Sequence, residues 1–105
     1  MHSDLKLLER LERILPASLD PKRMFGGQCW MLNGKMCVGV YHEYLITRIG
    51  PEAYAKIASE PGVGPMDITG KPMKGWAKVS PNGLTSDAEL KKHVELAVTF
   101  VETLS

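Results

Sequence analysis

Residues 23–49, RMFGGQCWMLNGKMCVGVYHEYLITRI, decide the fold. Asn33-Gly34 is a strong hairpin signal, because both residue types tolerate the left-handed backbone that a tight type I′ turn requires. The flanks carry strand-forming residues, so residues 23–32 read as one strand, bent at Gly26-Gly27, and residues 35–41 as the next. A second tight turn at His42-Glu43 leads into a third strand over residues 44–49. In the middle strand Met36, Val38 and Val40 are expected on one face, with Cys37, Gly39 and Tyr41 on the other. A two-residue loop at Asn33-Gly34 sets Trp30 opposite Cys37 and Cys29 opposite Val38. The two thiols then point to opposite faces and cannot bond. A three-residue loop would instead place them diagonally on one face.

Helices bracket this meander. Ser3 can cap a helix reaching about Leu15, with Leu5, Leu8, Leu11 and Leu15 as its apolar stripe and Glu9 and Arg13 paired one turn apart. Pro16 and Pro21 end it. Gly50-Pro51 breaks the sheet and opens a short helix to about Ser59, with Tyr54, Ile57 and Ala58 turned inward. Residues 60–75 carry many glycines and prolines and allow only a short extended piece near Met66 to Ile68. Residues 75–80 read as a strand with Trp76 on one face and Ala77 and Val79 divided between faces. After a turn at Pro81-Asn82-Gly83, Ser86-x-x-Glu89 is a capping box opening a helix to about Leu104. Its stripe is Leu90, Val94, Ala97, Val101 and Leu104, widened by Leu96 and Phe100. The expected fold is a two-layer α+β domain in the order α-β-β-β-α-β-β-α, its mostly antiparallel five-stranded sheet carrying the helices largely on one face. With 105 residues, residues 1–105 are expected to form a single domain.

Composition narrows function by exclusion. The net charge of +1, from 13 basic against 12 acidic residues, gives no overall field for a phosphate backbone. Nucleic-acid contact would need a local patch, for which Arg23, Lys71, Lys74 and Lys78 are the candidates; basic residues around Trp76 could track a single strand. The competing reading makes Trp76 a core anchor with Lys74 and Lys78 on the wet side. A phosphate loop fails, since Gly70-Lys71 is preceded five positions earlier by Pro65 and followed by Pro72. Gly26-Gly27 precedes a strand instead of a helix, unlike a dinucleotide fingerprint. His2, His42 and His93 have no partners at ligand spacing, so no metal and no cofactor are expected. Cys29 and Cys37 lie within strands, away from any activating base, and read as inert thiols. No catalytic residues are assigned. The first residues are charged and no apolar run is long enough to span a bilayer, so a cytoplasmic protein is expected.

MFGGQCWMLNGKMCVGV, then YLITRIGPEAYAKI, then PMDITGKPMKGWAKVSPNGLTSDAELKKHVELAVTFVETL resembles, in that order, the N-terminal domain of the TfoX/Sxy competence-regulator family. The resemblance spans residues 24–104. It implies a non-enzymatic domain; longer members carry a C-terminal helical domain and help switch on DNA-uptake genes together with other transcription factors. A single-domain member is expected here. The family motif falls on Met24, Phe25, Gly26, Gly27, Gly34, Met73, Lys74, Gly75 and Trp76, none of them a catalytic group of the family. The function it implies is regulatory or adaptor work through a protein partner connected with transcription, with a homodimer one arrangement open to it. Direct nucleic-acid binding, or a small ligand held between the sheet and the loop of residues 62–75, are the alternatives.

Overall fold

The computed structural model describes residues 5–24, 27–66 and 75–104. Helix α1 (Leu5–Ile14) leads into strands β1 (Asp20–Met24), β2 (Gly27–Leu32), β3 (Lys35–Tyr41) and β4 (Tyr44–Arg48). Helix α2 (Pro51–Ile57), strands β5 (Val63–Pro65) and β6 (Trp76–Val79), a 3-10 turn (Pro81–Gly83) and helix α3 (Asp87–Glu102) complete the chain. The strands form one sheet of six in the order β1-β2-β3-β4-β6-β5, with every pairing antiparallel.

The count is six where five were expected, because residues 23–32 are not one bent strand. Met24 pairs with Gly27 and Asp20 with Met31, so the chain reverses and makes β1 a separate edge strand. Its sequence, DPKRM, lacks alternation, and Pro21 reads as a break. The proline is tolerated because β1 pairs on one side only.

The β2–β3 turn is as expected, with Asn33 at φ 54° and Gly34 at φ 79°. Past Met31↔Met36 the register shifts by one, giving Trp30↔Val38 and Cys29↔Gly39 in place of Trp30 opposite Cys37. Cys37 is the extra residue of a β-bulge. The bulge puts Cys37 and Val38 together in the helix-side core, both fully buried. Met36 goes to the opposite face, its Cε 2.9 Å from where a Cβ on Gly39 would stand, so the expected grouping of Met36 with Val38 and Val40 does not hold.

All three helices cover one face. Leu7 and Leu11 of α1, Ile57 of α2, and Leu90, Val94, Ala97 and Val101 of α3 join Trp30, Leu32, Val38, Val40, Leu45, Ala77 and Val79 in a single cluster. Ala77 and Val79 thus share a face, as residues two apart in a strand must. Burial of these side chains, about 1.5–3 kcal/mol each for the larger ones, is what holds the layers together. Leu7 and Leu11 line the inner stripe of α1, with Leu8 only half-buried. Arg10 pairs with Asp87 of α3 at 3.2 Å, and the expected Glu9–Arg13 pair does not form. Ser3 lies outside the described residues. Ala58 is exposed, and Leu104 is 37% exposed at the frayed end of α3.

The capping box is complete. Ser86 Oγ accepts from the Glu89 amide at 3.1 Å, and Thr85 Oγ1 donates to Glu89 Oε1 at 2.6 Å. That hydroxyl, with the Ser86 and Thr85 backbone amides, holds the Glu89 carboxyl below its ordinary range against a smaller desolvation.

The end of β4 is tied to the start of β6 by Gly75, whose carbonyl accepts from both Ile49 N and Gly50 N at 2.9 Å. Gly75 (φ 80°) sits against Gly50 (φ 87°): a Cβ on the first would meet the Gly50 Cα at 3.2 Å, and one on the second the Phe100 ring at 2.6 Å. The positive φ of Gly75, with the Gly50 backbone pressed close against it, accounts for the glycine in the motif MKGW.

Candidate functional site

The sheet face opposite the helices is built by parity. Once Ala77 and Val79 face the core, Trp76 and Lys78 must face away; pairing with β4 brings Arg48 opposite Trp76 and Ile46 opposite Lys78. The Arg48 guanidinium lies over the Trp76 ring, 5.3 Å from its centroid, and Lys78 Nζ over the Tyr44 ring at 4.8 Å. Each such contact adds about 0.5–1 kcal/mol at a partly exposed site and fixes where the cation stands. Tyr41 follows on β3, its ring edge-on to His42 at 4.3 Å. Met31 and Met36, paired across β2 and β3, complete the face. These side chains are half-buried, while Ile46 between them is only 2% exposed. Trp76 is therefore an element of this face instead of an anchor of the helix-side core, and shares the face with Lys78.

Of the sequence-derived basic candidates, the two described ones, Arg23 and Lys78, are not brought together. Arg23 is exposed on β1 and paired with Gln28, while Lys78 is on β6. Four strand spacings separate them, about 19 Å, and their registers direct them to opposite faces. Lys71 and Lys74 lie outside the described residues. So do Phe25, Gly26 and Met73 of the motif, and the side chain of Met24. Gly27 stands in β2 paired with Met24, Gly34 in the hairpin turn, and Gly75 and Trp76 at the start of β6.

Neither thiol is activated. Cys37, fully buried on the helix side, is pushed up to about 12 by burial and then by Glu102, with Arg48 opposing. Burial raises Cys29 as well, partly offset by Lys22. Both are free. His93 is 2% exposed in α3, its Nδ1 unpartnered among the described residues. Burial, then Lys92, lowers its pKa, against Glu60 and Glu89. Among the described residues there is no cluster of three or more potential metal ligands, and no helix is long and apolar enough to cross a membrane.

Two grooves flank α3. One, of about 640 Å³, lies between α2 and α3 over Ile49, Ala53, Ile57, Leu96 and Phe100. The other, of about 400 Å³, lies on the α1 side over Ile14, Pro16, Val94 and Val98. Neither is the pocket expected beside residues 62–75, of which residues 67–74 lie outside the described ones. Parity along DITGKPMKGWAKV could have assigned Trp76 and Lys78 to one face; their partners on β4 could not be read, because β4 and β6 are joined through α2 and β5.

No curated protein and no solved structure matches the chain. The family described as TfoX N-terminal domain matches residues 9–101, nearly the whole chain and every element of the fold above. The chain belongs to the TfoX N-terminal domain family.

Proposed function

We propose that this domain is a small non-enzymatic regulatory or adaptor module, working in transcription regulation by holding a protein partner on the sheet face opposite its helices. The observation that carries the reading is the row of half-buried rings and cations on β4 and β6, Tyr44, Arg48, Trp76 and Lys78, on a face that no described helix covers. Aromatic and arginine side chains held in place by each other lose little freedom on binding, which suits them to be interface anchors. The sheet edges are poor alternatives. Both edge strands carry a proline, Pro21 in β1 and Pro65 in β5, and β5 is only three residues long. Among the described residues, burial raises both thiols, so neither Cys29 nor Cys37 is an activated nucleophile.

The test is a photo-crosslinking amino acid placed at Tyr44, with Glu12 on α1 as the control position, in the native cell. A discrete adduct with a second protein is expected at Tyr44 and not at Glu12, lost when Arg48→Glu and Trp76→Ala are introduced into a chain whose circular dichroism is unchanged. Equal capture at both positions, or an adduct that survives those substitutions, removes the sheet face from the account. The identity of the captured protein then decides the connection with transcription.

A further inference from the structure

The outer surface of α3 carries its charges in an order that its own helix does not favour. Asp87 and Glu89 in the first turn suit the helix dipole and are engaged, by Arg10 and by the cap. Beyond them, Lys91 precedes Glu95 and Glu102, and Glu102 occupies the last turn, where no basic residue stands. A carboxylate there meets the negative end of the helix dipole, which disfavours it. Lys91, Glu95 and Glu102 are exposed and have no ion-pair partner among the described residues.

Lys91, Glu95, Val98 and Glu102 recur at spacings of four, three and four, so they form one straight stripe along the helix. Run antiparallel against itself, this stripe sets Lys91 opposite Glu102 and Glu95 opposite Val98, each twice. Lys91, Glu95 and Val98 also line the groove on the α1 side, which leaves room for the side chains of a facing helix.

We propose that this stripe of α3, with the groove on its α1 side, is the surface on which two copies of this chain associate about a two-fold axis, with Lys91 of each copy meeting Glu102 of the other. The charge order selects a second copy: a uniformly acidic or basic partner would meet a like charge at one end of the stripe. Residues 91–102 span about 17 Å of helix. One such strip per copy makes a small interface, at the lower limit for a specific one. The dimer is accordingly weak and concentration-dependent. It is independent of the sheet-face reading, which concerns the opposite side of the molecule.

Sedimentation velocity over a concentration series tests it. The wild-type chain is expected to show a reversible monomer–dimer equilibrium. Lys91→Glu and Glu102→Lys, each alone, set like charges against each other twice and should weaken the dimer about tenfold. An equimolar mixture of the two variants restores opposite signs at both ends and should associate at least as well as wild type. A chain that stays monomeric up to about millimolar concentration, a dimer that neither reversal weakens, or a mixture no tighter than its components overturns the proposal.

Discussion

Gly50→Ala is the substitution that most directly tests how the sheet is joined to its helical layer. Gly50 has φ 87° and ψ 154°, a region open in practice to glycine alone, and occupying it with alanine costs about 1–3 kcal/mol. The new Cβ would lie 2.6 Å from the Cδ1 and Cε1 atoms of Phe100, so the ring must move out of its packed position, at about 1–3 kcal/mol more. The sum, roughly 4 kcal/mol, is a large part of the 5–15 kcal/mol expected of such a domain. Urea unfolding followed by tryptophan fluorescence measures it, since Trp30 is buried in the core. A second variant, Phe100→Ala, separates the two terms. In the double variant the steric part should vanish and the backbone part remain, giving a favourable coupling of about 1–3 kcal/mol. A loss below about 1 kcal/mol for Gly50→Ala, or no coupling to Phe100, would show that the close approach of α3 to this junction is wrong.

Protonating His93 means charging a group buried under α3, so the unfolded chain takes up its proton first. Stability should fall as the pH drops below about 6.5 toward the depressed native value, and His93→Gln should flatten that slope in urea titrations at successive pH values. Ser86→Ala removes the acceptor of the Glu89 amide and should cost about 1 kcal/mol in the same assay. Leu11→Ala empties a fully buried position between α1 and the sheet, and a loss of about 2–5 kcal/mol is expected. Both thiols should react slowly with a disulfide reagent at neutral pH, Cys37 slower than Cys29, and fast once the chain is unfolded; rapid native labelling of Cys37 would contradict its burial.

The elements set by local chemistry were legible in the residues. Asn33-Gly34 requires two left-handed positions, Gly50-Pro51 a break followed by a helix start, and Ser86 with Glu89 a cap; each signal is complete within four residues. β1 carried no such signal. All of its side chains described are exposed, so nothing in DPKRM alternates, and the strand exists because β2 offers it a free edge. The sheet face was half legible. Strand parity puts Trp76 with Lys78, but the cation over Tyr44 and the guanidinium over Trp76 depend on a β4–β6 pairing across a long connection, and no local pattern encodes which strand becomes the neighbour.

The cysteines show how a conclusion can survive the failure of one of its premises. The expected register put Cys29 and Cys37 on opposite faces by alternation alone. A uniform slip of one residue would have reversed that, since it carries a whole strand segment to the other side. The observed shift comes from an inserted residue, and the inserted residue is Cys37 itself. It is left without a partner and packs beside Val38 in the helix-side core, while Cys29 stays opposite Gly39 on the other face. The bulge also clears the ground above Gly39 for Met36, whose methyl group fills the space a side chain there would take. Two consecutive core residues at Cys37 and Val38 and a methionine laid over a glycine are one device. It lets β3 present an unbroken apolar row to α3 while its other face keeps Met36 and Tyr41 beside the rings and cations of β4 and β6.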